Sequence, residues 1–526
     1  MGGLSCGVIL AKNGYEVTVL EQGAQVGGCL QCFSRRGARF ETGMHFVGSA
    51  AEGQTLDRLL QYLEIKKDIQ LAPLDRDGYD VVCLNGQRYR FANGREAFIE
   101  QMASYFPHQR QQMEAYFDLV ERVAGASSLH SLTYGQSVAL QSLTYGQSVA
   151  LQSLRHAESD AAINTEYQLQ SVNEVIDSVI TDPLLAKVLV GSLPLYAAER
   201  DKTPFSTHAF IMDFYNQSAF RVVGGSDIIA ASMVRTIEKY GGRVLTHSKV
   251  TKIICDDTHA TGVEINGSTY MPCDYVISDA HPMRTLELTD SKLIRPAFRN
   301  RINAIPQTIG GFSVYLEFKD ETVPYQNYNF YGYNDGTPWN CEQYDEESWP
   351  KGYLYMHFCQ EPQPRYAKTG VIISYMQMKD VAQWSGTTVG HRGADYEAFK
   401  RQKAEQLIKS VERQFPHLRD KIKHYYTSTP LTYRDYTGTE GGGMYGIARD
   451  IHLGAACRVP HRTKIPNVWQ TGQNINSHGI LGVIVGTIVT CSELLTAERI
   501  YQQCNATLCT FRSEKSSRPT TLNVEH

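Results

Sequence analysis

The 526-residue sequence lacks an excess of either charge and any apolar run long enough to span a bilayer. Lysine plus arginine total 51 against 55 aspartate plus glutamate, for a net charge of −4, so no nucleic-acid partner is expected. The most apolar run, 479–492, is shorter than the roughly 20 residues that a spanning helix needs. No signal-peptide pattern opens the chain. We expect a cytoplasmic protein, at most associated with a membrane surface.

Disulfide, metal and triad patterns are also missing. The 12 cysteines are irregularly spaced, and only Cys29 and Cys32 form a C-x-x-C. A second ligand pair is absent, so two ordinary thiols beside a glycine turn are favoured over a redox or metal pair. No Ser-His-Asp grouping or metal-ligand spacing is found, and no metal is expected. Reduced thiols agree with a cytosolic location.

The sequence does contain the later portion of a dinucleotide-binding βαβ unit at its start. Gly2 and Gly3 precede a short apolar helix that Asn13-Gly14 would end, and a strand then leads to Glu21. Glycine allows the backbone to approach a pyrophosphate, and an acidic residue about 20 positions later accepts ribose hydroxyls. A generic strand–helix unit with a solvated glutamate is the alternative interpretation.

A second candidate element lies near the other end of the sequence. In NVWQTGQNINSHGILGVIVGTIV, a strand ending at Trp469 leads through a glycine loop to a helix that begins near Ile480. The N-terminus of such a helix stabilises negative charge, which a reduced flavin carries at its pyrimidine edge. A plain core helix is the alternative.

Four stretches resemble one family of flavoproteins. Residues 19–48, 222–280, 429–446 and 471–482 are similar to the motifs of the phytoene desaturase, carotenoid isomerase and retinol saturase superfamily, and are most similar to its retinol saturase branch. The resemblance implies an α/β fold in which a Rossmann-like FAD-binding domain is combined with an α+β substrate domain. It also implies FAD as the cofactor and a hydride exchanged between flavin N5 and a C–C or C=C bond of an apolar polyene or isoprenoid.

The resemblance also implies which residues contact FAD. The pyrophosphate, ribose and adenine would be held by Gly2, Gly3, Glu21, Gly27, Gly28 and Val250. The flavin ring would lie between Gly43, Met44 and His45 on one side and Gly472, Gln473, Gly482 and Val483 on the other. Many related flavoproteins carry aspartate where this chain has Gln473, and the amide adds no negative charge there.

The sequence departs from the family pattern at the start of the chain. Met1 takes the fourth position of G-x-G-x-x-G, so the first strand of the Rossmann unit and the first two glycines are missing. We favour a start codon assigned too late over a natural truncation.

Two side chains are candidates for proton transfer. His45 is the titratable group expected beside the flavin, with a structural imidazole bonded to the backbone as the alternative, and Tyr445 is a weaker candidate.

No separate nicotinamide domain is expected. Two other functions stay open: another flavoprotein oxidase such as an amine oxidase, and a non-catalytic prenyl-binding relative with impaired flavin binding. The oligomeric state is not predicted.

The pattern along the chain predicts six regions. Residues 131–141 and 142–152 are two copies of SLTYGQSVALQ, interpreted as a tolerated duplication without function. The predicted regions are a first FAD-binding segment (1–70), a mostly helical lid region (71–215), a second FAD-binding segment (216–285), a substrate domain with an antiparallel sheet (286–455), a third FAD-binding segment (456–504) and a polar tail (505–526).

Overall fold

The structure, a computed structural model, describes residues 1–125 and 166–504. The duplication at 131–152 and the tail at 505–526 lie outside the described residues. The strands are β1 Thr18–Leu20, β2 Cys32–Arg35, β3 Ala38–Glu41, β4 Val47–Gly48, β5 Leu71–Pro73, β6 Asp80–Leu84, β7 Gln87–Phe91, β8 Ala219–Val222, β9 Arg243–Leu245, β10 Val250–Cys255, β11 Ala260–Ile265, β12 Thr269–Pro272, β13 Val276–Ser278, β14 Gly310–Phe318, β15 Asn329–Tyr333, β16 Gly352–His357, β17 Thr369–Met376, β18 Ile422–Ser428 and β19 Val468–Gln470.

The helices fall mainly in two groups, one between residues 95 and 217 and one around the first helix. They are α1 Gly2–Lys12, α2 Thr55–Tyr62, α3 Arg95–Tyr105, α4 Arg110–Gly125, α5 Val172–Val179, α6 Pro183–Leu189, α7 Phe205–Gln217, α8 Asp227–Lys239, α9 Pro282–Glu287, α10 Pro296–Asn303, α11 Ala394–Glu412, α12 Leu418–Lys421, α13 Pro430–Thr437 and α14 Gly479–Cys491.

Helix α1 forms because small and apolar residues fill it, and it ends as the sequence predicted. Asn13 is its C-cap, and Gly14 has a φ of +87°, a left-handed conformation that glycine adopts without strain. A Cβ on Gly7 would lie 2.8 Å from the Ile237 side chain. This glycine therefore lets α1 pack closely against α8.

Two short parallel strand pairs flank α1. β1 pairs with β9, and β13 pairs with β19. Helix α14 packs against α1, and the Thr487 hydroxyl donates a hydrogen bond to the Gly2 carbonyl oxygen at 3.4 Å. Within residues 1–125 and 166–504, no strand joins the two pairs. Parallel strands covered by helices are the arrangement expected of an α/β nucleotide-binding domain.

The predicted hairpin at Asn266-Gly267 is confirmed. Asn266 and Gly267 both have positive φ values, of +55° and +75°, as a two-residue type I′ turn requires. The turn connects β11 to β12 in a three-stranded antiparallel sheet with β10.

The largest sheet has seven strands in the order β18-β14-β17-β16-β15-β6-β7, and it is antiparallel except where β6 lies parallel to β15. It thus takes strands from residues 80–91 as well as from residues after 310. One face packs against α11 through Val314, Phe330 and Ile372. The opposite face, which includes Val82 and Leu354, packs against α3 to α7.

Helix α14 is the apolar run noted in the sequence, and it is buried almost throughout, as predicted. In the part of the chain that the structure describes, no helix combines the length and the apolarity needed to cross a bilayer.

Candidate functional site

The start of α1 and the loop after β19 meet with almost no space between them. A Cβ on Gly2 would lie 2.7 Å from Asp279 Oδ1 and 2.9 Å from the Gly472 nitrogen. Gly472 has a φ of +94°, and its own Cβ would lie 2.1 Å from Asp279 Oδ1. The structure therefore brings together Gly2 and Gly472, which are far apart in sequence, at one helix N-terminus.

Asp279 is a site residue that the sequence analysis missed. Its Oδ2 accepts a hydrogen bond from the Gly3 backbone N–H at 2.8 Å. Because the N-terminus of a helix carries partial positive charge, a carboxylate is stabilised there. Its position directly after β13 could have identified it from the sequence, because such folds bind ligands at the carboxyl ends of parallel strands.

Glu21 follows β1 and lies beside the start of β10. Its Oε1 accepts a hydrogen bond from the Gly23 N–H at 2.7 Å, and its backbone oxygen accepts one from the Ser248 N–H at 2.8 Å. Val250, two residues after Ser248, begins β10. Glu21 is thus held beside the segment that begins β10 with Val250.

The glycine turn at Gly27-Gly28 leads directly to the C-x-x-C motif. Gly27 and Gly28 have φ values of +108° and +57°, and a Cβ on Gly43 would lie 3.0 Å from the Cys29 Cβ. Cys29 and Cys32 are both free thiols, and burial raises the pKa of Cys32 to about 11. Within the described ranges, no group of three or more potential ligands could hold a metal ion. Burial thus disfavours the Cys32 thiolate that a redox or metal role would need.

His45 lies in the loop between β3 and β4, directly after Gly43 and Met44. It is 8% exposed, and its ring stacks on Phe358 at a centroid distance of 5.7 Å. Neither ring nitrogen has a backbone hydrogen-bond partner, and the role of His45 as a proton carrier stays a prediction. Its Nδ1 lies 3.7 Å from Oε2 of Glu41, and burial raises the pKa of that carboxyl.

A chain of buried polar groups connects the His45 backbone to the seven-stranded sheet. The Arg221 guanidinium donates hydrogen bonds to the His45 carbonyl oxygen at 3.3 Å and to Asn329 Oδ1 at 2.9 Å. The Asn329 amide in turn donates to Asp80 Oδ1 at 2.7 Å. Burial raises the pKa of Asp80 to about 7, although the Asn329 amide, the Arg221 charge and the Tyr331 hydroxyl oppose this rise. The sequence pattern did not identify these residues, because each lies in an ordinary strand.

The N-terminal end of α14 forms another part of the site. Gly472 and Gln473 follow β19, while Gly482 and Val483 lie in the first turns of the helix. A Cβ on Gly482 would lie 2.6 Å from the Ser477 Cβ, so only glycine allows this loop to fold back onto the helix. The Val483 carbonyl oxygen accepts a hydrogen bond from the Thr487 hydroxyl at 2.9 Å.

Tyr445 lies beside this helix start. Its ring centroid is 4.8 Å from that of His478, the N-cap of α14. The Tyr445 hydroxyl donates a hydrogen bond to the Pro194 carbonyl oxygen at 2.9 Å, and burial raises the pKa of this phenol. Burial and the nearby Arg449 charge lower the pKa of His478 to about 4. Tyr445 is thus held by the helical region and is a poorer proton donor than an unbonded phenol.

Comparisons with known proteins identify the family of this chain. Residues 1–394 match the family described as "Flavin containing amine oxidoreductase". The chain is 27% identical to all-trans-retinol 13,14-reductase of Rattus norvegicus, over 98% of this chain and 88% of the relative. It is 22% identical to prolycopene isomerase 1 of an Oncidium hybrid cultivar, over 95% and 82%. An oxidoreductase structure from Methanosarcina mazei has a similar fold, with a TM-score of 0.58, 15% identity and coverage of 93% and 97%.

Proposed function

Since the chain belongs to the flavin-containing amine oxidoreductase family, we propose that it is an FAD-dependent oxidoreductase acting on C–C or C=C bonds of an apolar polyene or isoprenoid. FAD dependence and oxidoreductase chemistry follow from the family. The resemblance to the phytoene desaturase, carotenoid isomerase and retinol saturase superfamily is confirmed. The names of the two curated relatives specify retinol and prolycopene, which are both polyenes.

The residues present fit an FAD molecule. A Cβ on Gly2 or Gly472 would collide with Asp279, and one on Gly482 with Ser477, so these glycines let neighbouring backbone segments meet closely at the starts of α1 and α14. The N–H groups at the starts of α1 and α14 provide two sites that favour negative charge. The Asp279 carboxylate already accepts the hydrogen bond of the Gly3 N–H at the start of α1, and its negative charge opposes the binding of a pyrophosphate at that position.

We assign the residues around this cofactor as follows. Gly2, Gly3, Glu21, Gly27, Gly28 and Val250 would hold the adenosine and pyrophosphate, and Gly43, Met44, Gly472, Gln473, Gly482 and Val483 would hold the flavin ring. The bound flavin would supply the hydride chemistry. His45 would hold or release a proton at an unbonded ring nitrogen, with Glu41 positioning the imidazole at 3.7 Å.

The substrate proposal depends on one observation, the aromatic and apolar surroundings of His45. Phe358 stacks on the imidazole, and Phe40 packs on Phe358 with a centroid distance of 6.4 Å. Both phenylalanines belong to the same buried cluster as the inner face of the seven-stranded sheet. Apolar surroundings exclude water and suit a polyene.

We also propose the domain boundaries predicted from the sequence, with the FAD-binding domain formed by 1–70, 216–285 and 456–504. In this proposal the pairs β1–β9 and β13–β19 are two sections of one Rossmann sheet. The space between them is where the first strand of the unit would be placed. Extending the expressed chain by the codons upstream of Met1 and measuring FAD affinity tests this placement.

Peripheral membrane association is a further proposal. An apolar substrate partitions into lipid, and the exposed side chain of Leu169 lies 3.9 Å from the Cβ position of Gly454, which follows the exposed Leu453 in sequence. Sedimentation with neutral lipid vesicles tests it. Binding should fall when both leucines are changed to serine, and absence of the wild-type chain from the vesicle pellet would contradict the proposal.

The experiment for the proposed activity uses the purified holoprotein. Bound FAD gives a yellow protein, and a colourless chain that does not bind added FAD would favour the non-catalytic alternative. Under anaerobic conditions, all-trans-retinol or prolycopene should change the visible flavin absorbance of the oxidised or of the pre-reduced protein, with products identified by chromatography. Reduction by amines such as putrescine, without a response to any polyene, would contradict the proposal.

A further inference from the structure

Ile447 and Arg449 lie against the loop of residues 471–478, which joins β19 to α14 and which we name the helix-entry loop. The Ile447 N–H donates a hydrogen bond to Asn474 Oδ1 at 2.9 Å. Two residues later, Nη2 of Arg449 donates a hydrogen bond to the Asn476 carbonyl oxygen at 2.8 Å. The Arg449 guanidinium is therefore fixed to the helix-entry loop.

Arg449 is a half-buried cation without an acidic partner. Burial lowers the pKa of its guanidinium, and among the described residues no carboxylate lies close enough to oppose this effect. By contrast, the buried guanidinium of Arg392 forms an ion pair with Asp435. Arginine keeps its charge at neutral pH, and a charge that is removed from water is unfavourable unless an opposite charge lies near it. An anionic ligand would supply that charge.

The helix-entry loop adds partial positive charge of the same sign, because it leads into the N-terminus of α14. Its last residue, His478, is the N-cap of this helix, and its Nε2 is buried without a hydrogen-bond partner. Burial and the charge of Arg449 lower the pKa of His478 to about 4, so the imidazole is neutral at neutral pH. The full positive charge beside this loop is therefore that of Arg449.

FAD carries negative charge at two places, the pyrophosphate and, once reduced, the pyrimidine edge of the ring. In our assignment the pyrophosphate lies at Gly2 and Gly3, at the start of α1, whereas the ring contacts Gly472 and Gln473 of the helix-entry loop. Arg449 is bonded to this second element. Its charge therefore lies on the side of the flavin ring.

We propose that Arg449 stabilises the reduced form of the bound flavin more than the oxidised form, and that it thereby raises the reduction potential of the cofactor. This inference rests on the proposed function, since it requires the ring to lie beside α14. A hydride brings two electrons and one proton, so it leaves a neutral ring with one negative charge. A cation near that charge lowers its free energy, and charge near the ring is one of the ways in which a protein tunes a flavin.

Midpoint potentials of the FAD-loaded proteins test this assignment. They are measured without oxygen by equilibration with a redox dye, and the affinity of the apoproteins for oxidised FAD is measured separately. Arg449→Gln should weaken the binding of reduced FAD, relative to oxidised FAD, at least about tenfold. For a two-electron couple, a tenfold change corresponds to a potential lower by about 30 mV. The affinity for oxidised FAD should change less than about twofold.

Two further variants separate the charge from the shape of Arg449. Arg449→Lys keeps the charge and should retain most of the wild-type potential. Arg449→Met keeps an unbranched stem without charge, should match Arg449→Gln, and replaces it in the test if the glutamine variant does not fold. A potential that falls equally in the lysine and glutamine variants would overturn the proposal, because the hydrogen bond to Asn476 and not the charge would then be responsible.

Arg299→Gln is the matched control. Arg299 is also half-buried, and its guanidinium donates to the backbone carbonyl oxygens of Leu286 and Thr289, which lie outside the proposed site. Its potential should equal that of wild type. An unchanged potential in Arg449→Gln would overturn the proposal, and weaker binding of oxidised FAD at an unchanged potential would assign the charge to the pyrophosphate instead. A wild type that binds no FAD would contradict the proposed function itself.

Discussion

The cofactor side and the sheet side of the candidate site are built in opposite ways. Around α1 and α14 the site is made by omitting side chains: Gly2, Gly472 and Gly482 let neighbouring backbone segments pack in close contact. On the seven-stranded sheet it is made by large side chains, and the buried Asp80 and Asn329 place polar atoms beside an apolar cluster. In our proposal the first region holds the cofactor and the second lines the substrate.

The largest expected effect concerns the buried carboxyl on the sheet side. Asp80 has a pKa of about 7 in the folded protein, whereas an unfolded aspartate ionises near its usual value of about 4. As the pH rises from about 4 to 7, the unfolded chain loses this proton first, so burial of Asp80 increasingly opposes folding. Relative to Asp80→Asn, wild type should lose up to about 4 kcal/mol of unfolding free energy over this range.

Urea unfolding of both proteins at several pH values in this window measures the difference. Glu41 and other buried acids contribute equally to both curves and cancel. If the unfolding free energies of the two proteins changed with pH in parallel, Asp80 would be ionised in the folded state throughout this pH range, stabilised mainly by Arg221.

The second prediction concerns proton transfer between the two regions. Gln at position 45 fills a similar space but cannot carry a proton at neutral pH. His45→Gln should lower the turnover of a polyene substrate by about a hundredfold and leave FAD content unchanged. A rate within a few-fold of wild type, at equal flavin absorbance, would limit His45 to packing against Phe358.

The third prediction tests the cofactor side, where an added methyl group should exclude the ligand. Gly472→Ala has two costs. Alanine would have to adopt the φ of +94° of this position, and its Cβ would lie 2.1 Å from Asp279 Oδ1. We expect FAD affinity to fall by about 2 kcal/mol, or roughly thirtyfold, in calorimetric titrations of apoprotein. Gly14→Ala is the control, since its φ of +87° is similar but nothing lies within 4 Å of its Cβ. Equal FAD affinities of the two variants would remove Gly472 from the cofactor site.

The smallest effect concerns the charge of Asp279. Asp279→Asn keeps an acceptor for the Gly3 N–H but removes a negative charge from the proposed pyrophosphate position. FAD should bind about 1 kcal/mol more tightly, and the gain should shrink at high salt. Weaker binding would show instead that the carboxylate accepts a hydrogen bond from the cofactor.

The same comparison explains what the sequence could predict. The capped helix α1, the hairpin at Asn266-Gly267 and the buried helix α14 depend on residues adjacent in sequence, and each prediction is confirmed. The glycines of the cofactor side likewise belong to short motifs with fixed spacing. Such local signals are visible without knowledge of the tertiary structure.

The polar groups of the sheet side could not be predicted in this way. Asp80 meets Asn329 across 249 residues because β6 lies parallel to β15, and Arg221 donates a hydrogen bond to Asn329 from a third strand. In sequence, each is a single polar residue in an otherwise ordinary segment. Asp279 was missed for a related reason, since its contact with Gly3 depends on how β13 packs beside α1.

A crystal structure of the holoprotein with all-trans-retinol would test the central claim most directly, namely that the glycine-built ends hold one FAD and the tyrosine-bearing sheet faces its ring. The account predicts the adenosine ribose beside Glu21, the flavin between Gly43 and Gly482, and the polyene chain of retinol against Phe358 beside His45. Flavin bound elsewhere, or a retinol chain that lies away from Phe358 and the sheet, would contradict it.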